Sequence, residues 1–119
     1  MTYYEKAKKL FKMIEEGKLL EALDKYYHKD VLIIADDGTE RKGLEQAKAY
    51  DEKFLKEIQE VMGGEVYTIT SDEERGITMV EFWINLKFKN GNKKTIKEVA
   101  IQYWEDDYII KENFYSKKY

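Results

Sequence analysis

Gly76-Ile-Thr-Met-Val-Glu-Phe-Trp-Ile-Asn-Leu-Lys-Phe88 leads through an Asn90-Gly91 turn into Lys94-Thr-Ile-Lys-Glu-Val-Ala-Ile-Gln-Tyr-Trp104, and then through Asp106-Asp107 into Tyr108-Ile-Ile-Lys-Glu-Asn-Phe-Tyr115. Runs this rich in β-branched and aromatic residues, separated by turn dipeptides, predict three long antiparallel strands. Asn90-Gly91 predicts a type I′ hairpin, and Asp106-Asp107 a second tight turn. Thr78, Val80, Phe82, Ile84, Leu86 and Phe88 alternate into one apolar stripe. The opposite face carries Met79, Trp83, Val99, Ile101 and Tyr103. A sheet apolar on both faces needs cover on each: one side packs on helices, and the other calls for a partner, expected to be a second copy of the chain.

The residues upstream supply the helices. Tyr3, Tyr4, Ala7, Leu10, Phe11 and Ile14 recur at helical spacing, predicting a helix over 3–16 that stops at Gly17. Leu19, Leu20, Leu23, Tyr26 and Tyr27 repeat the pattern over 18–28. Val31-Leu-Ile-Ile-Ala35 reads as a short strand, Asp37-Gly38 as its turn, and Thr39–Lys42 as the return. From Leu44 the helical period resumes through Ala47, Phe54, Leu55, Ile58, Val61 and Met62, predicting one long helix ended by Gly63-Gly64. A strand over Glu65–Ser71 and a charged turn Asp72–Gly76 complete the chain. The expectation is one α+β domain over 1–119, a curved antiparallel sheet wrapped around three helices from the N-terminal half, enclosing a pocket.

Composition narrows the function. A chain of 119 residues with 43% apolar and 14% aromatic content can build one core and is not a disordered segment. Its 21 basic and 24 acidic residues are well mixed, so no basic face argues for nucleic acid. No apolar run approaches membrane-spanning length, and Met-Thr-Tyr-Tyr-Glu is not a signal peptide; the expected compartment is the cytoplasm. With no cysteine and one histidine, thiolate chemistry is excluded, and neither a metal site nor a cofactor is expected. Proline is absent against a usual content of about 5%, as in an idealised or designed chain, or in a natural one with short connections.

The order helix, helix, short hairpin, long helix and four meandering strands resembles the nuclear transport factor 2-like superfamily, and within it the SnoaL-like group. Glu16-Gly17-Lys-Leu-Leu-Glu-Ala-Leu, Tyr26-Tyr27-His28-Lys29-Asp30-Val31, Lys42-Gly43-Leu-Glu-Gln-Ala47 and Ile110-Lys-Glu-Asn-Phe-Tyr115 carry the resemblance across the whole chain. It implies a cone-shaped pocket between sheet and helices, and dimers through the outer sheet face (Met79, Trp83, Val99, Ile101, Tyr103). It does not imply one chemistry, because function travels with sites and not with folds. The ketosteroid isomerase-like pattern wants a first-helix tyrosine where Leu10 stands and a penultimate-strand acid near Ala100; only Asp36, at the end of the first strand, could serve it. The limonene epoxide hydrolase-like pattern wants an arginine and an aspartate among Val80, Phe82 and Ile84, and an aspartate at Asn113. It is not met.

Strand alternation puts Glu98, Ala100 and Gln102 on one face. The resemblance places that face inside the cone, with Asn113 and Tyr115 on the last strand and Tyr27 nearby. Among Phe82, Ile84 and Leu86, the Glu98 carboxylate would be desolvated and suited to proton transfer, with Gln102 and Asn113 as hydrogen-bond donors to a carbonyl. Paired with Lys87, Lys97 or Lys111 at a solvated edge, Glu98 is merely a surface acid. A one-residue slip would exchange the set for Glu81 and Asn85. Asp36 is a second candidate base, although Asp36-Asp37-Gly38 also suits a plain turn. His28 reads as a turn or surface residue. Three functions remain open: a binding protein for a small apolar molecule; an isomerase or cyclase moving a proton on a hydrophobic carbonyl compound; and an interaction module or ligand-free scaffold whose pocket Phe82, Phe88 and Trp104 fill.

Overall fold

The computed structural model describes residues 1–117. Three helices, α1 (Tyr3–Glu15), α2 (Leu19–Tyr26) and α3 (Leu44–Glu57), lie against a six-stranded sheet. Its strands are β1 (Tyr27–Ile34), β2 (Glu40–Lys42), β3 (Ile58–Asp72), β4 (Ile77–Phe88), β5 (Lys93–Glu105) and β6 (Tyr108–Ser116), in the order β2-β1-β6-β5-β4-β3. The α+β class and the helix-covered sheet are as the sequence predicts. β1 and β6 run parallel and every other pair antiparallel, so the sheet is mixed. Adjacent hairpin strands must run antiparallel; β1 reaches β6 without a hairpin and is free of that constraint.

One end of the sheet is sealed. Trp104 stands between Tyr3 of α1 and Tyr26 of α2, ring centroids 6.0 and 6.1 Å away, and Phe11 meets Phe82 at 5.6 Å. Ala7, Leu10, Ala22, Leu23, Val31, Ile33, Val80, Ala100 and Ile109 close the core around them. The Thr2 hydroxyl caps α1 by accepting from the Glu5 N–H, and the Glu73 carboxylate accepts from the Tyr3 and Tyr4 N–H groups at 2.8 and 3.0 Å. The turn before β4 therefore grips the first turn of α1 and anchors the helix over the sheet. Gly76 makes the close approach possible. Its φ is 68°, and a Cβ there would lie 3.0 Å from the Trp104 carbonyl oxygen.

The long helix ends sooner than its periodicity predicts. α3 stops at Glu57, and residues 58–64 begin β3, with Ile58 opposite Phe88 and Val61 opposite Leu86. Register shifts at 58/60, 61/63 and 66/68 insert extra residues into β3, breaking its two-residue alternation into spacings that imitate a helix. The same bulges protect this long edge strand from pairing with other chains. The β4–β5 connection is not type I′. Gly91 has φ 91°, whereas Asp106 is the one non-glycine residue with positive φ among the described residues; Phe88 and Asn92 are bridged by a backbone bond of 2.8 Å. No described helix is long and apolar enough to cross a membrane.

Candidate functional site on the concave face

The site grows from Trp104. An indole N–H can donate but has no acceptor, so its partner must accept. That partner is the Thr78 Oγ, at 2.8 Å. The Thr78 hydroxyl is left to donate to Gln102 Oε1 at 2.7 Å, which turns the Gln102 amide nitrogen toward Glu112 Oε2, also at 2.7 Å. The Tyr27 hydroxyl donates to the other oxygen, Glu112 Oε1, at 2.6 Å. The polarity of the whole chain is thus fixed by the one group in it that cannot accept, and both ends of the polarity converge on Glu112. Thr78, Gln102 and Glu112 are fully buried, as is Tyr27.

Register explains the assembly. Gln102 pairs with Thr78 on β4 and with Glu112 on β6; Glu112 pairs with Ile33 on β1, and Ile33 with Arg41 on β2. Directly opposed residues share a face, so Arg41, Ile33, Glu112, Gln102 and Thr78 form one transverse row on the concave side. Burial pushes the Glu112 carboxyl up to about 7, with the Asp51 charge adding to the rise; the Tyr27 and Gln102 hydrogen bonds and Arg41 act the other way. Tyr27 is held well above its ordinary range, first by burial and then by the adjacent Glu112 charge.

Away from the seal the cover thins unevenly, and Leu86 farther along β4 is again fully buried. Phe82, Ile84, Ile96 and Phe114 are only half-buried. Glu98 lies opposite Phe82 and Ser116, accepts from the Ser116 hydroxyl at 2.6 Å, and is raised by burial above the ordinary glutamate range. Asp51 projects from α3 in phase with Leu44, Ala47 and Phe54, and burial lifts it to about 6 against the pull of Arg41. The Arg41 guanidinium lies on the Tyr50 ring, 3.5 Å from its centroid. At the lip, Glu57, Phe88, Asn90, Asn92, Lys93 and Lys94 line an open recess of about 480 Å³. Among the described residues no group of three acids or histidines is placed to hold a metal ion.

No protein-family model matches the chain, nor does any curated protein sequence. Solved structures do match in shape. A protein of Mesorhizobium loti assigned as a SnoaL-like polyketide cyclase [carbohydrate phosphatase] superposes with TM-score 0.84 at 23% identity, over 97% of this chain and 99% of that one. An NTF2-like protein of unknown function from Burkholderia pseudomallei gives 0.82 at 14%, over 98% and 92%. A protein of Bacillus subtilis assigned as an isomerase gives 0.81 at 13%, over 98% and 90%. The fold is the nuclear transport factor 2-like one that these structures share. At these identities the likeness carries architecture and not chemistry.

Within this NTF2-like fold, Phe82, Ile84, Leu86, Glu98 and Gln102 lie on the concave face and Tyr27 reaches its floor, but the structure does not bring them into one constellation. Gln102 bonds Thr78 and Glu112, not Glu98. Leu86 is fully buried, and Asp36 is exposed in the β1–β2 turn, reaching Glu98 only through its charge. Asn113 and Tyr115 are corrections. They pair with Ile101 and Val99, on the outer face, where Tyr115 is 59% exposed. The cause is a bulge in β6: Trp104 pairs with Ile109, yet Tyr103 pairs with Lys111, so Ile110 is skipped and the strand changes phase. Ile109 faces inward before it; Glu112, Phe114 and Ser116 do so after it. His28 lies in β1, its Nδ1 accepting from the Asp30 N–H.

Sequence reasoning missed Glu112, Asp51 and Arg41. A signal existed for the first two. Ile109 and Phe114, five residues apart, cannot both face inward on an unbroken strand, and Asp51 interrupts an otherwise apolar helical stripe. Arg41 sits on a three-residue strand, too short for alternation to reveal its face.

Proposed function

We propose that the protein binds a small apolar molecule on the open half of its concave sheet face. The observation that carries this is the change of character along that face: Val80, Ala100, Gln102 and Trp104 are covered, whereas Phe82, Ile84, Ile96 and Phe114 remain partly open between them and the buried Leu86. Apolar surface over a rigid, hydrogen-bonded floor gains roughly 25 cal/mol for each Å² that a ligand removes from water. Arg41, Asp51 and Glu98 at the edge supply the few polar groups that orient a ligand in such a site. The cyclase and isomerase among the similar folds favour a small molecule by analogy of fold alone. The same reading makes the protein a homodimer through Met79, Trp83, Val99, Ile101 and Tyr103, since Met79 and Tyr115 leave apolar surface exposed there.

A second reading, proton transfer on a carbonyl compound, is favoured by Asp51, which burial lifts to about 6, and by Glu98, which burial raises above the ordinary glutamate range. Asp51 and Glu98 are then the candidate bases, because Glu112 has both oxygens engaged. 2-Decanone tests both readings. At a hundred times its Kd a ligand stabilises the fold by about 2.7 kcal/mol, and Ile84→Glu and Phe82→Glu should abolish that gain. Undiminished binding in both variants places the ligand elsewhere and overturns the first reading. Deuterium exchange of the ketone's α-protons should exceed that in buffer and fall in Asp51→Asn or Glu98→Gln; exchange no faster than buffer rules out proton transfer on this ketone class.

A further inference from the structure

Among the described residues the Arg41 side chain makes no hydrogen bond or ion pair, and of the charged groups it faces neither does Asp51. Arg41 projects from β2 in the same transverse row as Glu112, two strands away, which is roughly 10 Å at the usual strand spacing. Its flat face rests on the Tyr50 ring, and among the described residues no carboxylate lies within 4.0 Å of it. Yet its charge is felt by Tyr27, Asp51, Glu98 and Glu112. A stacked guanidinium keeps its edge free, and that edge is a fork of N–H donors matched to a planar carboxylate.

We infer that Arg41 anchors the carboxylate of the ligand, so that the molecule bound is a hydrophobic carboxylic acid whose apolar body lies on Phe82, Ile84 and Phe114. This rests on the binding reading above and names its ligand class. The acids around the guanidinium do not exclude an anion. Asp51 from α3, Glu98 from β5, Glu112 from β6 and Tyr27 from β1 feel the guanidinium's charge, and Glu98 also feels Asp36 of the β1–β2 turn and Lys94 of β5. Asp51 and Glu112 take up protons near neutral pH, and an arriving anion raises their proton affinity further. Binding is therefore accompanied by proton uptake, and the carboxylate's affinity falls as pH rises from 6 to 8. A phosphate dianion, with twice the charge, suffers more from the same neighbours.

The test is calorimetry with decanoate, decanamide and decylamine, on the wild-type protein and on Arg41→Met and Arg41→Lys, with folding checked by circular dichroism. Charge-assisted bonds of the kind proposed correspond to about 10- to 100-fold in affinity. Decanoate should exceed decanamide by that factor, Arg41→Met should erase the difference, and Arg41→Lys should keep part of it. Decanoate should also weaken between pH 6 and pH 8 while decanamide does not. Equal binding of decanoate and decanamide overturns the anchor and leaves the apolar site standing, as does an advantage that survives in Arg41→Met. Tighter binding of decylamine overturns the assignment in favour of the acids. Binding of none of the three overturns the anchor together with the site.

Discussion

Replacing Glu112 with glutamine isolates the most consequential group in the molecule. The wild-type carboxyl is raised from the ordinary glutamate value of 4.5 to about 7, chiefly because the fold removes it from water. The unfolded chain releases this proton near 4.5 and the folded state keeps it up to about pH 7, so between those values the folded state binds more protons and stability falls as pH rises. A shift of this size is worth about 3 kcal/mol, at 1.36 kcal/mol per unit. Glutamine carries no charge at any pH and escapes that loss. It loses no hydrogen bond relative to the protonated acid, because each presents one oxygen that accepts from Gln102 and one donor to the Tyr27 hydroxyl, which can accept. Glu112→Gln should therefore match wild type to within about 1 kcal/mol at pH 4.5, and be more stable by about 3 kcal/mol at pH 8. Urea unfolding of the two proteins at a series of pH values measures this difference, and the other titrating groups cancel to the extent that they are not coupled to Glu112. A stability difference that stays constant from pH 4.5 to pH 8 refutes the reasoning, since Glu112 would then titrate alike in the folded and unfolded states.

Other perturbations test separate parts of the argument. Thr78→Val keeps the side-chain shape but strands the Trp104 N–H and the Gln102 Oε1, and should cost about 2–4 kcal/mol in chemical denaturation. A loss below about 1 kcal/mol would mean that the buried chain does not depend on its middle link. Gly76→Ala forces a left-handed residue to carry a Cβ against the Trp104 carbonyl, and should destabilise by about 2 kcal/mol, visible as a lower Tm. Ile101→Asp puts a charge in the centre of the outer face. Sedimentation should show a dimer for the wild type and a monomer for the variant; a monomeric wild type ends the dimer proposal.

How much could be read from the sequence follows from the range of the interactions involved. The three-strand run from Gly76 to Tyr115, the helices over Tyr3–Glu15 and Leu19–Tyr26, and the facing of Glu98, Ala100 and Gln102 are all written in local periodicity, because alternation and helical spacing are properties of neighbouring residues. The α+β class follows from their order. What periodicity could not supply were the positions where one strand's phase is set by another. Within β6 the bulge at Ile110 is only hinted at, by Ile109 and Phe114 standing five residues apart; its place is set by the pairing with β5, which turns Glu112 inward and Asn113 and Tyr115 outward. The bulges of β3 similarly disguised residues 58–64 as helix until β4 paired with them. The candidate site is a still longer-range product: Tyr27, Asp51, Thr78, Gln102 and Glu112 come from β1, α3, β4, β5 and β6, and their proton affinities arise from burial that no one segment creates. The sequence by itself determined the elements and most of their faces; only the tertiary structure decided which acids lost their water, because desolvation belongs to the assembled sheet and helices and not to any stretch of chain.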